Sequence, residues 1–177
     1  MLWSVSRMGN ETKRSLPDSR RHPGFLRMLA LQVSSLVLLL LSAIFNVISL
    51  ATDSWITTPG VRFGIWRLCD LNACGNLRND ADIDATRAFS IISFLLLLVA
   101  FFVQIYEIWS ETVKKVTGFL SFCAGVCALI GMSVFVGSFR SAGFTTYSWS
   151  FALGWVSTGL SLVAGAVAFV TFKNNPQ

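Results

Sequence analysis

The chain has 177 residues, of which 54% are hydrophobic and only 13% are charged. A soluble domain carries about 25% charged residues, so this composition excludes an ordinary soluble globular protein. The net charge of +5 excludes little by itself, because its meaning depends on where the charges fall along the chain.

Four long segments contain no Lys, Arg, Asp or Glu: 28–52, 88–106, 116–139 and 141–172. An α-helix of about 20 apolar residues crosses the hydrocarbon core of a bilayer, and a helix satisfies its own backbone polar groups there. A very apolar soluble bundle is the alternative, but the outer faces of its helices would carry charges. The sequence therefore predicts four membrane-spanning helices, near residues 28–51, 88–106, 116–139 and 150–172.

Residues 1–27 are polar and basic, contain Pro17 and Pro23, and show no apolar periodicity. This composition predicts a disordered arm ahead of a four-span domain at 28–177. A cleaved signal peptide is the rival interpretation of the first span. Its apolar stretch, however, is longer than the usual signal-peptide core of about 7–15 residues.

The basic residues predict the orientation of the spans. With both termini in the cytosol, most of the 14 Lys and Arg residues fall on the cytosolic side, in the arm, the link 107–115 and Lys173. The charges of the loop 53–87 then largely cancel. We therefore predict an integral protein of the plasma membrane with cytosolic N- and C-termini. The positive charge follows from this topology and gives no reason to predict nucleic-acid binding.

The loop 53–87 is the only segment outside the spans that is long enough to fold. Residues 55–58 and 61–68 are rich in aromatic and β-branched side chains, and Pro59-Gly60 between them favours a turn. This pattern predicts a small extracellular antiparallel β-sheet.

Cys69 and Cys74 lie in the same loop, with four residues between them. Opposed residues of an antiparallel hairpin come within disulfide range, and the outer face of the membrane is oxidising. We predict a disulfide. Free or metal-binding thiols are the alternative, although no histidine or third cysteine is nearby.

Small side chains recur at steps of three and four along the third and fourth spans. Helices in lipid associate through close packing, which small residues permit. We predict helix packing through Gly118, Ser121, Gly125, Ala128, Gly154, Ser157, Ser161, Ala164 and Ala168. Asn46, a polar residue in the first span, is expected to bond to a neighbouring helix; a ligand contact is the alternative.

The sequence gives no support for catalysis or metal binding. The single histidine, His22, lies in the arm, and no catalytic constellation accompanies it. Asp80, Asp82 and Asp84 superficially suggest calcium, but an EF-hand would need Gly and Glu where Ala85 and Ile91 stand. Asp82 or Asp84 is instead expected to cap the second helix. We predict no enzyme, no catalytic residue, no metal, no cofactor and no small-molecule substrate.

A set of loop residues resembles the signature of the claudin superfamily: Trp55, Gly64-Ile65-Trp66, Cys69, Cys74 and Arg87. Within it, the chain is similar to the branch of peripheral myelin protein, the epithelial membrane proteins and lens fibre membrane intrinsic protein. The lens protein gives the closest resemblance, through the cysteine spacing, residues 85–89 and residues 148–156. Met28 stands where this family usually begins, so translation starting at Met28 is an alternative to the arm.

The resemblance implies an all-α membrane protein, a four-helix claudin-like bundle under a small extracellular sheet whose two cysteines join two strands. Trp55 and Trp66 would pack where the sheet meets the bundle, and Arg87 would tie the loop to the helix tops.

The expected function is structural or adhesive: a tetraspan protein that organises cell–cell contacts or membrane domains. Its partners would be the lipid bilayer and other membrane proteins in cis or trans, including further copies of itself. An accessory subunit that modulates a channel or other membrane protein is one alternative, and a trafficking or granule membrane protein is another.

Overall fold

A computed structural model describes residues 23–77, 80–109, 116–141 and 146–173. Most of the predicted arm falls outside these ranges, so its disorder stays a prediction. The elements in chain order are α1 (Pro23–Ala51), β1 (Ile56–Thr58), β2 (Val61–Phe63), β3 (Arg67–Asp70), β4 (Cys74–Asn76), α2 (Ala81–Trp109), α3 (Val116–Ser141) and α4 (Trp149–Lys173).

All four long helices are apolar enough to cross a membrane, over Leu29–Ala51, Ala81–Trp109, Val116–Arg140 and Trp149–Val170. The strands between α1 and α2 form one antiparallel sheet in the order β1-β2-β3-β4. The predicted fold class, a four-span bundle with a small antiparallel sheet, is therefore confirmed.

Two helices begin several residues before the predicted spans. The second begins at Ala81 rather than near residue 88, and its first two turns carry Asp82, Asp84 and Arg87. The first begins at Pro23, inside the segment assigned to the arm. Proline is tolerated at this position because N–H groups in the first turn of a helix have no acceptor within the helix, so the N–H that proline lacks is not needed. An uncharged stretch marks the part of a helix that lies in hydrocarbon, and the helix itself can continue into water.

Small residues lie where α3 and α4 meet. The nine small residues named from the sequence are all buried. A Cβ on Gly125 would come 2.6 Å from Leu162 Cδ2, and one on Gly165 would come 3.2 Å from the Gly118 carbonyl oxygen. The Ser121 hydroxyl donates to the Ser161 carbonyl over 2.7 Å. The α3–α4 contact is therefore close enough for backbone to approach backbone.

Serine pairs join α1 to α4. The Ser42 hydroxyl donates to the Ser157 carbonyl (2.9 Å), and the Ser157 hydroxyl donates back to the Ser42 carbonyl (2.8 Å). Seven residues further along α1 and seven residues earlier in α4, the Ser49 hydroxyl donates to the Ser150 carbonyl over 2.8 Å. Ser157 was among the packing residues named from the sequence, whereas its partner Ser42 and the pair Ser49 and Ser150 were not predicted.

The apolar core consists of two clusters at different depths. One lies at the sheet end and contains Trp55, Ile56, Ile65, Met132 and Phe135 among others. The second lies deeper between the helices and is built from Leu39, Ala43, Leu97, Ala100, Ala124 and Ala164. The first cluster includes residues of both the sheet and the helices, so the sheet is continuous with the bundle core.

Candidate functional site

The sheet and the helix ends beneath it form the candidate functional site. The last carbonyls of a helix have no partner within it, and α1 ends at Ala51 directly under the sheet. Two tryptophans supply the missing donors. The Trp55 indole N–H donates to the Ser49 carbonyl (2.7 Å), and the Trp66 indole N–H donates to the Leu50 carbonyl (2.8 Å). Both motif tryptophans therefore fasten the sheet to the end of α1.

Trp55 is also the largest side chain at the centre of the core cluster at the sheet end. It is 1% exposed, and its ring meets Phe135 edge to face at 4.7 Å between centroids and Phe151 at 5.8 Å. Such aromatic pairs contribute about 0.5–1.5 kcal/mol beyond the area they bury. Trp55 therefore connects α1, α3 and α4 from a position just before β1.

Gly64, between the two tryptophans, permits the loop to pass close to the backbone just after the end of α1. A Cβ at this position would lie 2.5 Å from Asp53 Cα and 3.0 Å from Asp53 Cβ. Backbone cannot move aside as a flexible side chain can. The motif needs glycine at this point because two backbone segments touch.

Arg87 connects the sheet to α2. Its Nε donates to the Ile65 carbonyl (2.7 Å), its Nη1 pairs with Asp84 (2.7 Å), and its guanidinium lies 5.2 Å from the centre of the Trp66 ring. Ile65 itself is fully buried. A planar, forked cation can make these contacts together, whereas lysine offers a single ammonium.

The far end of the sheet is closed by the disulfide. Cys69 of β3 faces Cys74 of β4 in register, and the two are bonded. This confirms the predicted disulfide. The turn between them exposes Leu71, which is 82% accessible and whose Cδ1 and Cγ would lie 3.3 Å from a Cβ on Gly60 in the β1–β2 turn. The two turns therefore meet and form one tip, which we call the sheet tip (59–60 and 71–72).

An open groove runs between one face of the sheet and the helix ends. It has a volume of about 650 Å³, and Thr52, Asp53, Thr57, Arg62, Asp70 and Trp149 are among its lining residues. Its lining mixes hydroxyls, both signs of charge and one large aromatic ring. Within the described ranges, no three His, Cys, Asp or Glu side chains converge closely enough to hold a metal ion.

The acidic residues before α2 act differently from the prediction. The Asp84 N–H donates to the Asp80 carbonyl over 3.0 Å, so Asp80 occupies the N-cap position just before the helix. The expectation that Asp82 or Asp84 caps it is wrong, because both lie inside the first turn. Asp82 instead accepts from the Ser138 hydroxyl of α3 over 2.7 Å. Both carboxylates still lie near the positive end of the helix dipole.

A buried carboxylate at the other end of the bundle was also missed. The charge pattern predicts Glu107 in a link between helices, but it lies within α2 and is 6% exposed. Its Oε1 accepts from the Thr117 N–H over 3.3 Å. Thr117 follows the first residue of α3, so Glu107 supplies an acceptor to the start of that helix. The sequence could not predict that Glu107 is buried, because charged residues usually lie at the water-exposed ends of membrane spans.

A sequence model described as the PMP-22/EMP/MP20/Claudin family matches residues 27–168. The chain belongs to this family. Its members are structural membrane proteins rather than enzymes, so this chain is not an enzyme. Family members also interact with other membrane proteins.

Three curated relatives show the degree of similarity. Mouse claudin domain-containing protein 2 is 26% identical over 140 residues, which is 77% of this chain and 83% of the relative. Human epithelial membrane protein 1 is 24% identical over 153 residues, covering 80% and 92%. Human lens fiber membrane intrinsic protein is 28% identical over 147 residues, covering 73% and 84%. The similarity therefore extends over most of the length of each protein.

Proposed function

We propose that this chain is a structural, adhesive tetraspan protein that organises cell–cell contacts or membrane domains. In this proposal the sheet faces outward at the plasma membrane and both termini lie in the cytosol. The observation that carries it is the fixed presentation of an exposed apolar tip: Leu71 projects from a sheet that is itself bonded to α1, to α2 and to the segment just before α4.

Rigid attachment supports an adhesive role, because a surface that is already ordered loses less entropy when it binds. The sheet is held to α1 by Trp55 and Trp66, to α2 by Arg87, and within itself by the disulfide. An isolated bridge between Ile56 and Tyr147 also joins the sheet to the segment just before α4. The sheet tip is therefore held in a defined position relative to the membrane.

The sheet tip offers a contact suited to another protein. Leu71 is a large apolar side chain exposed to solvent, and its neighbour Asp70 is exposed and charged. An apolar centre with a polar rim is typical of protein interfaces. The partner we propose is a membrane protein on the facing membrane or beside this one, with a second copy of this chain as the simplest case.

The aromatic residues at the helix ends support this placement in the bilayer. Trp149 begins α4 beside the sheet and is 54% exposed, while Tyr106 and Trp109 are exposed at the opposite end of α2. Tryptophan and tyrosine concentrate at membrane–water interfaces. The hydrocarbon would therefore lie between these two levels, with the whole sheet outside it.

Clustering of vesicles tests the proposal. The purified full chain is reconstituted into liposomes at matched density, and clustering is followed by light scattering. Wild-type vesicles should cluster, Leu71→Asp should reduce clustering several-fold, and Asn76→Asp should leave it unchanged. Asn76 is exposed on the same sheet away from the tip, so this control adds the same charge without removing the apolar contact.

Two results would contradict the proposal, the first by refuting the adhesive role itself and the second by refuting the sheet tip as its contact surface. One is wild-type vesicles that cluster no more than protein-free vesicles. The other is equal clustering by the Leu71→Asp and wild-type proteins, which would leave the sheet tip without the proposed contact. Cys69→Ser should also lower clustering, because the turn that carries Leu71 would lose the crosslink at its base.

A further inference from the structure

A small polar cavity lies inside the bundle directly beneath the sheet junction. It has a volume of about 10 Å³, and its lining includes Asn46, Ser49, Trp55, Ser90, Ala128 and Met132. A cavity needs roughly 10–15 Å³, about the volume of one water-sized sphere, to hold a water molecule. The cavity is therefore of the size that admits one water.

The lining includes a polar atom without a protein partner. Asn46 is buried in the membrane-spanning part of α1, and its Oδ1 accepts no hydrogen bond from any described residue. The sequence led us to expect an interhelical hydrogen bond from this residue, and Oδ1 does not form one. A buried amide oxygen left without a donor is destabilising, and most such groups in proteins are satisfied by protein or water.

Two hydroxyls complete the polar lining. Ser90 of α2 lines the cavity opposite α1, and Ser49 of α1 lines it from the same helix as Asn46. The Ser49 hydroxyl already donates its proton to the Ser150 carbonyl, so its oxygen remains able to accept one. Asn46, Ser49 and Ser90 together offer the two to four polar partners that a buried water needs.

We infer that this cavity is a binding site for a single structural water molecule. The water donates to Asn46 Oδ1 and to Ser49 Oγ, and it accepts from the Ser90 hydroxyl. Direct hydrogen bonds from Ser42 and Ser49 tie α1 to α4. The bound water gives α1 a corresponding polar link to α2, at the level where Trp55 fixes the sheet.

The chain contains a matched dry position for comparison. Ala128 lines the polar cavity, whereas Ala124, one helical turn deeper on α3, is fully buried among Leu39, Leu97 and other apolar residues. Genuinely apolar sites stay dry. The two alanine methyl groups therefore report on a wet and a dry environment within one helix.

Nuclear Overhauser contact with water tests the site in the full chain, in micelles or nanodiscs with labelled alanine methyls. The Ala128 methyl should show a cross-peak to long-lived water, and the Ala124 methyl should show none. Asn46→Leu, which removes the amide and fills its space, should abolish the Ala128 cross-peak. Ser90→Ala should retain it, because Asn46 and Ser49 still hold the water.

Three outcomes would overturn the inference. No Ala128 cross-peak in the wild-type protein would mean that the cavity binds no water. Equal cross-peaks at Ala124 and Ala128 would mean general solvent penetration. Loss in Ser90→Ala with retention in Asn46→Leu would assign the signal to the exchanging Ser90 hydroxyl rather than to a bound water.

Discussion

Ser42 of α1 and Ser157 of α4 bond to each other reciprocally, each hydroxyl donating to the other residue's backbone carbonyl. A single pair of small side chains thus provides two hydrogen bonds between helices that lipid alone would not hold together. Interhelical hydrogen bonds in membranes contribute about 0.6 kcal/mol on average and up to about 1.7 kcal/mol.

Replacing either member of this pair should weaken the bundle. We expect Ser42→Ala and Ser157→Ala each to lower the free energy of unfolding by about 0.6–1.7 kcal/mol. The double variant should lose less than the sum, because the two hydroxyls also lie 3.2 Å apart within one hydrogen-bond network. Unfolding in mixed detergent measures this. Ser34→Ala is the control, since the Ser34 hydroxyl is exposed and bonds only within its own helix; an equal loss in that variant would count against the interhelical role.

The serine pairs recur every seven residues, and the next position in the series is occupied by Ser35 opposite Ala164. Ser35 Oγ is buried and has no hydrogen-bond partner among the described residues, and Ala164 is fully buried. Ala164→Ser should therefore add a third pair and raise the free energy of unfolding by about 0.6 kcal/mol. Ala166→Ser, on the exposed face of α4, should give no gain. A loss of stability in Ala164→Ser would show that the third position is too tight for a hydroxyl.

Gly64→Ala should disrupt the sheet junction. The added methyl would meet the backbone of Asp53 at 2.5 Å, and overpacking of this kind costs about 1–3 kcal/mol or more when backbone must move. Gly75→Ala provides a matched control on the same sheet, because nothing lies within 4 Å of its added Cβ. The yield of monodisperse protein and its melting temperature compare the two, and similar values would contradict the close-approach argument.

Arg87→Lys should loosen the sheet without unfolding the bundle. Lysine keeps the charge but cannot donate to the Ile65 carbonyl, pair with Asp84 and cover Trp66 together, and a hydrogen bond to a charged group contributes about 1.5–3 kcal/mol. Amide hydrogen exchange locates the effect. The Leu77 N–H, which donates to the Trp66 carbonyl, should exchange faster, while amides near Ser42 should not change. Uniform acceleration would indicate global rather than local destabilisation.

The sequence predicted the number of spans because a charged side chain in hydrocarbon is very unfavourable. A long segment without charged residues therefore identifies each membrane-spanning helix. It predicted the sheet because Pro59-Gly60 and the alternating aromatic and β-branched residues fit a hairpin. The ends of the helices could not be predicted as well. Asp82, Asp84 and Arg87 continue α2 into water, where charged residues carry no penalty. The serines of α1 were missed because one serine every seven residues gives no clear pattern within a run of leucines. Their hydrogen bonds depend on α4, which the sequence of α1 does not reveal. Asn46 was noticed, but its surroundings depend on α2 and α3, which no local pattern specifies.

An adhesive role requires the sheet to lie on the side of the membrane opposite the cytosol, where it can contact other membranes. Glycosylation mapping in cells tests it directly. Arg78→Thr makes Asn76 an N-glycosylation acceptor in the exposed end of the sheet, and the native sequence Asn10-Glu11-Thr12 in the arm serves as an internal control. We predict a glycan at Asn76 in the variant and none at Asn10 in either protein. A glycan at Asn10 with an unmodified Asn76 would place the sheet in the cytosol and contradict the account.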